Sequence, residues 1–318
     1  MRVSTALLFR SGTQGIQNLQ SELFKTQNQM STGRRILTPQ DDPIGASEVL
    51  KYSQSKGVNQ QFLDNQSVAT TKLSLLDTTL SGIGSEVAAI LERAEQAGNP
   101  SFDAANRGLI ATELKARFNN LMSLANTQDG TGLYVFSGFQ STTKPFEINT
   151  ASTSPFSLSG TYVSYHGDGG NETLQVTGSQ TIETGTNGLD VFMQVNDNQG
   201  NPTGRSMFDT LKNLIDILDP ASGVPFSNGA HTQAVSDLRS TVNHIATARA
   251  SAGARLNALE SMTSTGEDTA LQYDLHLSKL QDLDYAEAIS RLSSTKLQLE
   301  AAQLSFKEIS GLSLFSIL

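Results

Sequence analysis

The sequence contains no cysteine, no tryptophan and only four histidines among its 318 residues. Without cysteine, the chain has no disulfide framework and no thiolate metal site. No stretch approaches the roughly 20 apolar residues of a membrane-spanning helix, and the apolar run near the N-terminus is far too short for a signal peptide. These absences predict no membrane insertion, and by themselves they would leave the chain in the cytoplasm.

Apolar residues are also scarce, at 37% of the chain, and polar residues and glycine take their place. This composition favours an extended body whose remaining apolar surface is buried by neighbouring molecules. The net charge of −9 argues against nucleic-acid binding, which needs a basic face. Acidic residues concentrate in the middle of the chain: residues 127–205 carry seven Asp and Glu against two Lys and Arg.

Helical periodicity dominates the N-terminal part. A seam of heptad type alternates spacings of three and four residues and consists of Phe9, Gly12, Ile16, Leu19, Leu23, Thr26 and Met30. This first helix is predicted to end at Gly33. A second helix is predicted to begin at Asp42 and Pro43, which suit the N-cap and the first helical position.

The second helix is predicted to run to about Ala97, and a third to span residues 104–125. Because a glycine costs about 1 kcal/mol inside a helix, we expect a bend or break in the second helix near one of three glycines. These are Gly57, Gly82 and Gly84.

The middle of the chain has a different pattern, with short β-prone pieces between clusters of Gly, Asn, Asp, Ser and Pro. These pieces are residues 133–136, 162–165, 174–176 and 191–195. They predict a small antiparallel β-domain with long connections.

Helix returns at Ser206, where Ser206 and Asp209 resemble a capping box. A further long helix is expected to break at Gly266. The last helix has the most regular seam, formed by Tyr285, Ala288, Leu292, Thr295, Leu299, Ala302, Phe306 and Ile309. Each terminal helix has one good apolar stripe, so the two together bury little and need a third partner. Identical neighbouring chains would supply it, which predicts a polymer.

Three stretches resemble the hook-associated branch of the flagellin superfamily. Residues 29–43, Q-M-S-T-G-R-R-I-L-T-P-Q-D-D-P, are similar to the family signature after the first helix. Residues 129–139, with K-P-F at 144–146, Y-H-G-D at 165–168 and G-L-D-V-F at 188–192, are typical of junction members rather than of filament flagellin. The closing G-L-S-L-F at 311–315 is similar to the amphipathic C-terminus of the superfamily. Together these stretches cover essentially the whole chain.

The resemblance implies a mainly α fold: an elongated, discontinuous helical rod with paired N- and C-terminal helices and an inserted small antiparallel β-domain. It divides the chain into an N-terminal core helix (1–40), a helical shell domain in two parts (41–130 and 206–280), an outer β-domain (131–205) and a C-terminal core helix (281–318). The assembly interface is expected to include residues of both terminal helices. These are Ile16, Leu19, Leu23, Leu292, Leu299, Phe306, Ile309, Leu314 and Phe315.

The function implied is that of a structural subunit of the bacterial flagellum, which joins hook to filament by helical self-assembly through its terminal helices. Its partners would be further copies of itself, the proximal hook-associated protein, flagellin on the filament side and a cytosolic export chaperone at the C-terminal part. It would be exported by the type III apparatus without a cleavable signal peptide and act outside the cell, which reverses the cytoplasmic expectation. A short filament flagellin and, less favoured, a surface adhesin module are the alternatives.

The residues give no sign of an enzyme, a cofactor or a metal site. No two histidines lie four residues apart, so the zinc motif of some flagellin relatives is missing. Asp41 and Asp42 precede a proline, which favours helix capping over acid–base catalysis. The D-G-G-N sequence at 168–171 favours a hairpin turn over a calcium site.

Overall fold

The structure is a computed structural model that describes residues 2–149, 162–196, 201 and 203–315, without the side chains of residues 2–6, 8 and 310–315. Its α-helices are α1 (Arg2–Thr32), α2 (Pro43–Ala97), α3 (Ala104–Ala125), α4 (Met207–Leu218), α5 (Asn228–Gln281) and α6 (Tyr285–Phe315). Its strands are β1 (Phe146–Ile148), β2 (Val163–Tyr165), β3 (Thr173–Gln175) and β4 (Thr181–Glu183). The predicted mainly α fold, with paired terminal helices and small antiparallel sheets, is confirmed.

The chain forms two compact units. One comprises the residues up to Gln60 and those from Glu267 onward, and the other comprises Gln61–Gly266. The five-part division expected from the sequence stays a prediction.

The core of the larger unit is one buried cluster to which one face of α2 and residues of α3, α4 and α5 contribute. The residues of α2 that repeat at three- and four-residue spacing are completely buried: Leu73, Leu76, Leu80, Ile83, Val87 and Ile90. A bend or break was predicted in α2 and a break in α5; the breaks are wrong, because α2 runs unbroken through its glycines and α5 runs unbroken through Gly266. At Gly84 a Cβ atom would lie 3.6 Å from Ile245 of α5. Tertiary packing of this face outweighs the low helix propensity of glycine.

The C-terminal end of α2 is capped by side chains from two other helices. The buried His231 of α5 donates from Nε2 to the carbonyl oxygen of Ala94 at 2.8 Å. Arg107 of α3 donates to the carbonyl oxygen of Ala97 at 3.3 Å, and its guanidinium lies 3.8 Å from the ring centre of Phe226. Donors of this kind satisfy carbonyl groups that have no partner within the helix.

The predicted helix starts are confirmed. The Asp42 carboxylate accepts a hydrogen bond from the backbone N–H of Gly45 at 2.9 Å, with Pro43 as the first helical residue of α2. Ser206 is the N-cap of α4, and its hydroxyl accepts from the Asp209 N–H at 2.9 Å and donates to the Asp209 carboxylate at 2.7 Å.

Among its described residues, the β region contains two separate two-stranded antiparallel sheets. β1 pairs with β2, with Phe146 opposite Tyr165, and β3 pairs with β4, with Leu174 opposite Ile182. The predicted strands at 162–165 and 174–176 are confirmed in essence, whereas β1 and β4 were missed. Residues 168–171 connect β2 to β3, which do not pair, so the hairpin predicted there is wrong.

Two predicted strands are wrong, because their apolar residues pack in a buried core and do not pair in a sheet. Residues 133–136 form turns with one isolated bridge, and Leu189–Met193 is a short π-helix. Phe136 and Phe192 lie edge to face with centroids 4.9 Å apart, and Phe146 and Phe208 complete a buried aromatic cluster with them. A short apolar run has the same pattern whether it pairs as a strand or packs from a turn.

Candidate assembly surface of the terminal helices

In the smaller unit, α1 and α6 pack against each other in antiparallel directions. Phe9 and Phe306 meet edge to face, with ring centroids 5.1 Å apart. The position of a Cβ atom on Gly12 would lie 2.8 Å from the Phe306 ring, so the glycine allows the two helices to approach closely. At the other end of the pair, the Tyr285 hydroxyl donates to the carbonyl oxygen of Met30 at 3.3 Å.

The seam residues predicted for assembly lie where α1 meets α6 of the same chain. Ile16, Leu19, Phe306 and Ile309 line one apolar groove of the pair. All the predicted residues with described side chains are half-buried, except Ile309, which is exposed. Leu314 and Phe315 belong to the last turns of α6, and their side chains lie outside the described residues. The pair alone therefore leaves its own seam incompletely covered.

A second apolar face of α6 was missed by the sequence analysis. Ile289, Leu297 and Leu304 are 52%, 68% and 65% exposed, respectively. At about 100° per residue they fall within one arc of the helix, roughly opposite the seam that faces α1. Their spacings of eight and seven residues could have revealed this stripe. α6 is thus apolar on two faces, of which only one meets α1.

The connection between α1 and α2 (33–42) is joined to that between α5 and α6 (282–284) by a short antiparallel bridge, which we call the clasp. Arg34 and Asp282 are the bridged residues. The Arg35 N–H donates to the carbonyl oxygen of Gln281 at 2.6 Å, and the Leu283 N–H donates to that of Gly33 at 3.0 Å. Gly33 has a φ of 70°, the left-handed conformation in which glycine commonly ends a helix.

Two side chains reinforce the clasp. The amide of Gln29, which is 3% exposed, donates to the carbonyl oxygen of Arg35 at 2.6 Å. The Arg35 guanidinium donates both to the carbonyl oxygen of Leu280 at 3.1 Å and to the Asp42 carboxylate at 3.2 Å. The two connections, which lie at the same end of the terminal helix pair, are thereby tied to each other.

Asp41 and Asp42 act as hydrogen-bond acceptors here. Asp41 accepts from the backbone N–H groups of Leu37 and Thr38 and lies 2.8 Å from the Lys25 ammonium. The hydrogen bond from Lys25, followed by that from Thr38, lowers the pKa of Asp41 to about 2. The hydrogen bond from Gly45 is the largest influence that lowers the pKa of Asp42. Both groups are carboxylates at neutral pH, as capping and ion pairing require.

Within the part of the chain that is described, no group of three or more His, Cys, Asp or Glu is placed to hold a metal ion. No helix in that same part is long and apolar enough to cross a membrane. Asp168, considered above for calcium, accepts hydrogen bonds from the N–H groups of Phe139 and Gly170 and so organises its own loop.

This chain is similar to known proteins in both its sequence and its arrangement of helices. Residues 3–141 match the family model described as the bacterial flagellin N-terminal helical region. The chain is 32% identical to flagellar hook-associated protein 3 of Salmonella typhimurium, over 100% of this chain and 99% of that protein. The same protein of Escherichia coli is also 32% identical, again over 100% of this chain and 99% of its own length. The crystal structure of the flagellar junction protein from Legionella pneumophila has a TM-score of 0.61 and 20% identity, and covers 74% of this chain and 100% of that one.

The fold is therefore that of a flagellin-like structural protein. More particularly, the chain belongs to the family of flagellar hook-associated protein 3. Members of this family are structural flagellar components, so the chain is a structural subunit of the bacterial flagellum and not an enzyme.

Proposed function

We propose that this subunit joins hook to filament by helical self-assembly through α1 and α6. The observation that carries the proposal is the second apolar face of α6, which α1 of the same chain does not cover. The half-covered seam predicted from the sequence contributes a further contact surface on the opposite side of α6. This seam comprises Ile16, Leu19, Leu23, Leu292, Leu299, Phe306 and Ile309, with Leu314 and Phe315 continuing it.

The exposed leucines supply free energy for association. Burying a leucine side chain completely is worth about 1.5–3 kcal/mol. Since Leu297 and Leu304 are 68% and 65% exposed, each retains about 1–2 kcal/mol to be gained against a neighbouring copy. A surface that meets a different surface on the next copy is heterologous, and such contacts generate rings or helices. Because the contact repeats around the assembly, a modest free energy per leucine is sufficient to stabilise the assembled state.

The partners follow from family membership and from the exposed apolar surface. The assembled subunits contact the proximal hook-associated protein on one side and flagellin on the other. An export chaperone covers the C-terminal part before assembly, since its apolar face has no partner in the free chain. Export proceeds without a cleavable signal peptide to the flagellum outside the cell. Residues 131–205, the acidic segment, form the outer domain.

Leu304→Asp and Leu297→Asp test the assembly role, with Gln303→Asp as a matched control on an exposed neighbour in α6. Because both leucines are exposed, helix content and thermal midpoint of the free subunit should stay within the control's range. A carboxylate buried against a neighbour loses the apolar contribution and must be desolvated. We expect both leucine variants to fail in a motility complementation assay, with unpolymerised flagellin shed into the medium.

Full motility with either leucine variant would overturn the assembly role of this face. Immunogold labelling of the wild-type subunit tests the location separately. We expect a band at the hook–filament boundary, and label along the whole filament would instead identify a filament subunit.

A further inference from the structure

We infer that Gln29 and Arg35 are positioning residues, which fix the register in which α1 pairs with α6 by holding the clasp together. The importance of that register for assembly rests on the proposed function, whereas the register itself does not. The inference comes from the hydrogen bonds of the two side chains and from a spacing shared by the two helices.

Gln29 is a buried amide at a position where an apolar side chain would bury more surface favourably. Its donor group reaches one acceptor, the Arg35 carbonyl, at 2.6 Å. This bond folds the connection back onto the last turn of α1 and so holds the Arg35 backbone where its N–H reaches the Gln281 carbonyl across the clasp. A buried amide without this acceptor would be costly, so Gln29 fixes the place at which the clasp meets the end of α1.

Arg35 joins two segments that are far apart in sequence. Its guanidinium donates to the Leu280 carbonyl at the end of α5 and to the Asp42 carboxylate at the start of α2. The planar group presents several donors in a fixed geometry, which an ammonium group does not. Lysine at this position would therefore keep the charge and lose one of the two connections.

The register is the same at both ends of the helix pair. A Cβ atom on Gly33 would lie 3.2 Å from the Tyr285 hydroxyl, and one on Gly12 would lie 2.8 Å from the Phe306 ring. Gly12 and Gly33 are 21 residues apart in α1 and its connection, and Tyr285 and Phe306 are also 21 residues apart in α6. Each glycine thus faces an aromatic residue, and the two glycine–aromatic contacts are separated by three heptads in both helices.

Burial decreases with distance from the clasp. The buried residues that α1 and α6 contribute to their contact are Thr26, Gln29, Ala288 and Thr295. They are small or polar and lie within about three turns of the clasp, whereas Phe9 and Phe306 at the far end are half-buried. Pairing is tightest where Gln29 and Arg35 act, as expected if the clasp anchors it.

The test measures the register directly in the full-length free subunit. Because the chain has no cysteine, Ser21→Cys and Ser294→Cys provide unique sites for spin labels at similar levels of α1 and α6. The parent should give a narrow distance distribution. We expect Gln29→Ala and Arg35→Lys to broaden it or to shift it by about one helical turn, roughly 5.4 Å.

Gln27→Ala and Arg34→Lys are the matched controls, since the Gln27 side chain is exposed and Arg34 joins the clasp through its backbone. Hydrogen exchange of residues 61–266 should be unchanged in every variant, and exchange of residues 20–32 and 285–296 should accelerate at least tenfold in the two clasp variants alone. A broad distribution in the parent, unshifted distances in both clasp variants or equal shifts in the controls would overturn the inference. If Leu304→Asp abolishes assembly while both Gln29→Ala and Arg35→Lys keep the parental distances, the proposed function stands and this inference falls.

Discussion

The aromatic cluster of the larger unit predicts a large loss of stability for Phe208→Ala. Phe208 is completely buried at the start of α4 and contacts three other phenylalanines. Its ring is stacked on Phe192 at 5.6 Å and lies 5.3 Å from Phe146 and 6.0 Å from Phe118, measured between centroids. Truncation of a buried phenylalanine to alanine costs about 3–5 kcal/mol. Because Phe208 also loses three aromatic pairs, we expect a value at the upper end of this range, about 5 kcal/mol.

Urea unfolding followed by circular dichroism and tyrosine fluorescence measures this loss. Tyrosine is a suitable probe because the chain has no tryptophan, and Tyr165 lies 5.2 Å from Phe146 within the same cluster. Phe139→Ala is the matched control, since the Phe139 side chain is 66% exposed and should contribute less than about 1 kcal/mol. Equal unfolding midpoints for the two variants would refute the assignment of this cluster as the core of the β region.

Two other predictions concern α2 and the clasp. Gly84→Ala and Gly82→Ala should each increase the free energy of unfolding by about 0.5–1 kcal/mol and so raise the thermal midpoint. The added Cβ atoms fit, because they would lie 3.6 and 3.8 Å from their nearest neighbours. A lowered midpoint would mean that the packing there is tighter than the structure shows. The lowered pKa of Asp41, about 2, means that its carboxylate stabilises the fold at neutral pH and loses that effect as pH falls from about 4 to about 2. Asp41→Asn should therefore lower the thermal midpoint at pH 7 and approach the parent near pH 2; a pH-independent difference would contradict this role.

Features that depend on neighbouring residues in sequence could be predicted. The starts of α2 and α4 were visible as Asp42 with Pro43 and as Ser206 with Asp209. In each, the capping side chain bonds a backbone N–H only three residues further on, so the local sequence determines the structure. The seam of α6 was also visible, because it repeats regularly over three turns or more.

Features that depend on distant residues could not be predicted. β1 is recognisable only through its partner β2, and the π-helix at Leu189–Met193 has the same apolar composition as a strand. The stripe of Ile289, Leu297 and Leu304 was overlooked because the stronger seam of the same helix dominates its pattern. Gln29 and Arg35 are only six residues apart, but no pattern indicates their hydrogen bond, since it needs the chain to turn back on itself after α1.

The shared 21-residue spacing limits how the terminal helices can change in length during evolution or engineering. A deletion in α1 alone would move Gly12 away from Phe306 while Gly33 stays beside Tyr285. Close helix approach would then require a glycine at a new position, and the former glycine would face solvent. Paired insertions or deletions of a near-whole number of turns, one in each helix, keep both glycine–aromatic contacts and the orientation of the exposed leucines. A paired change of seven residues alters the reach of the helix pair by about 10.5 Å.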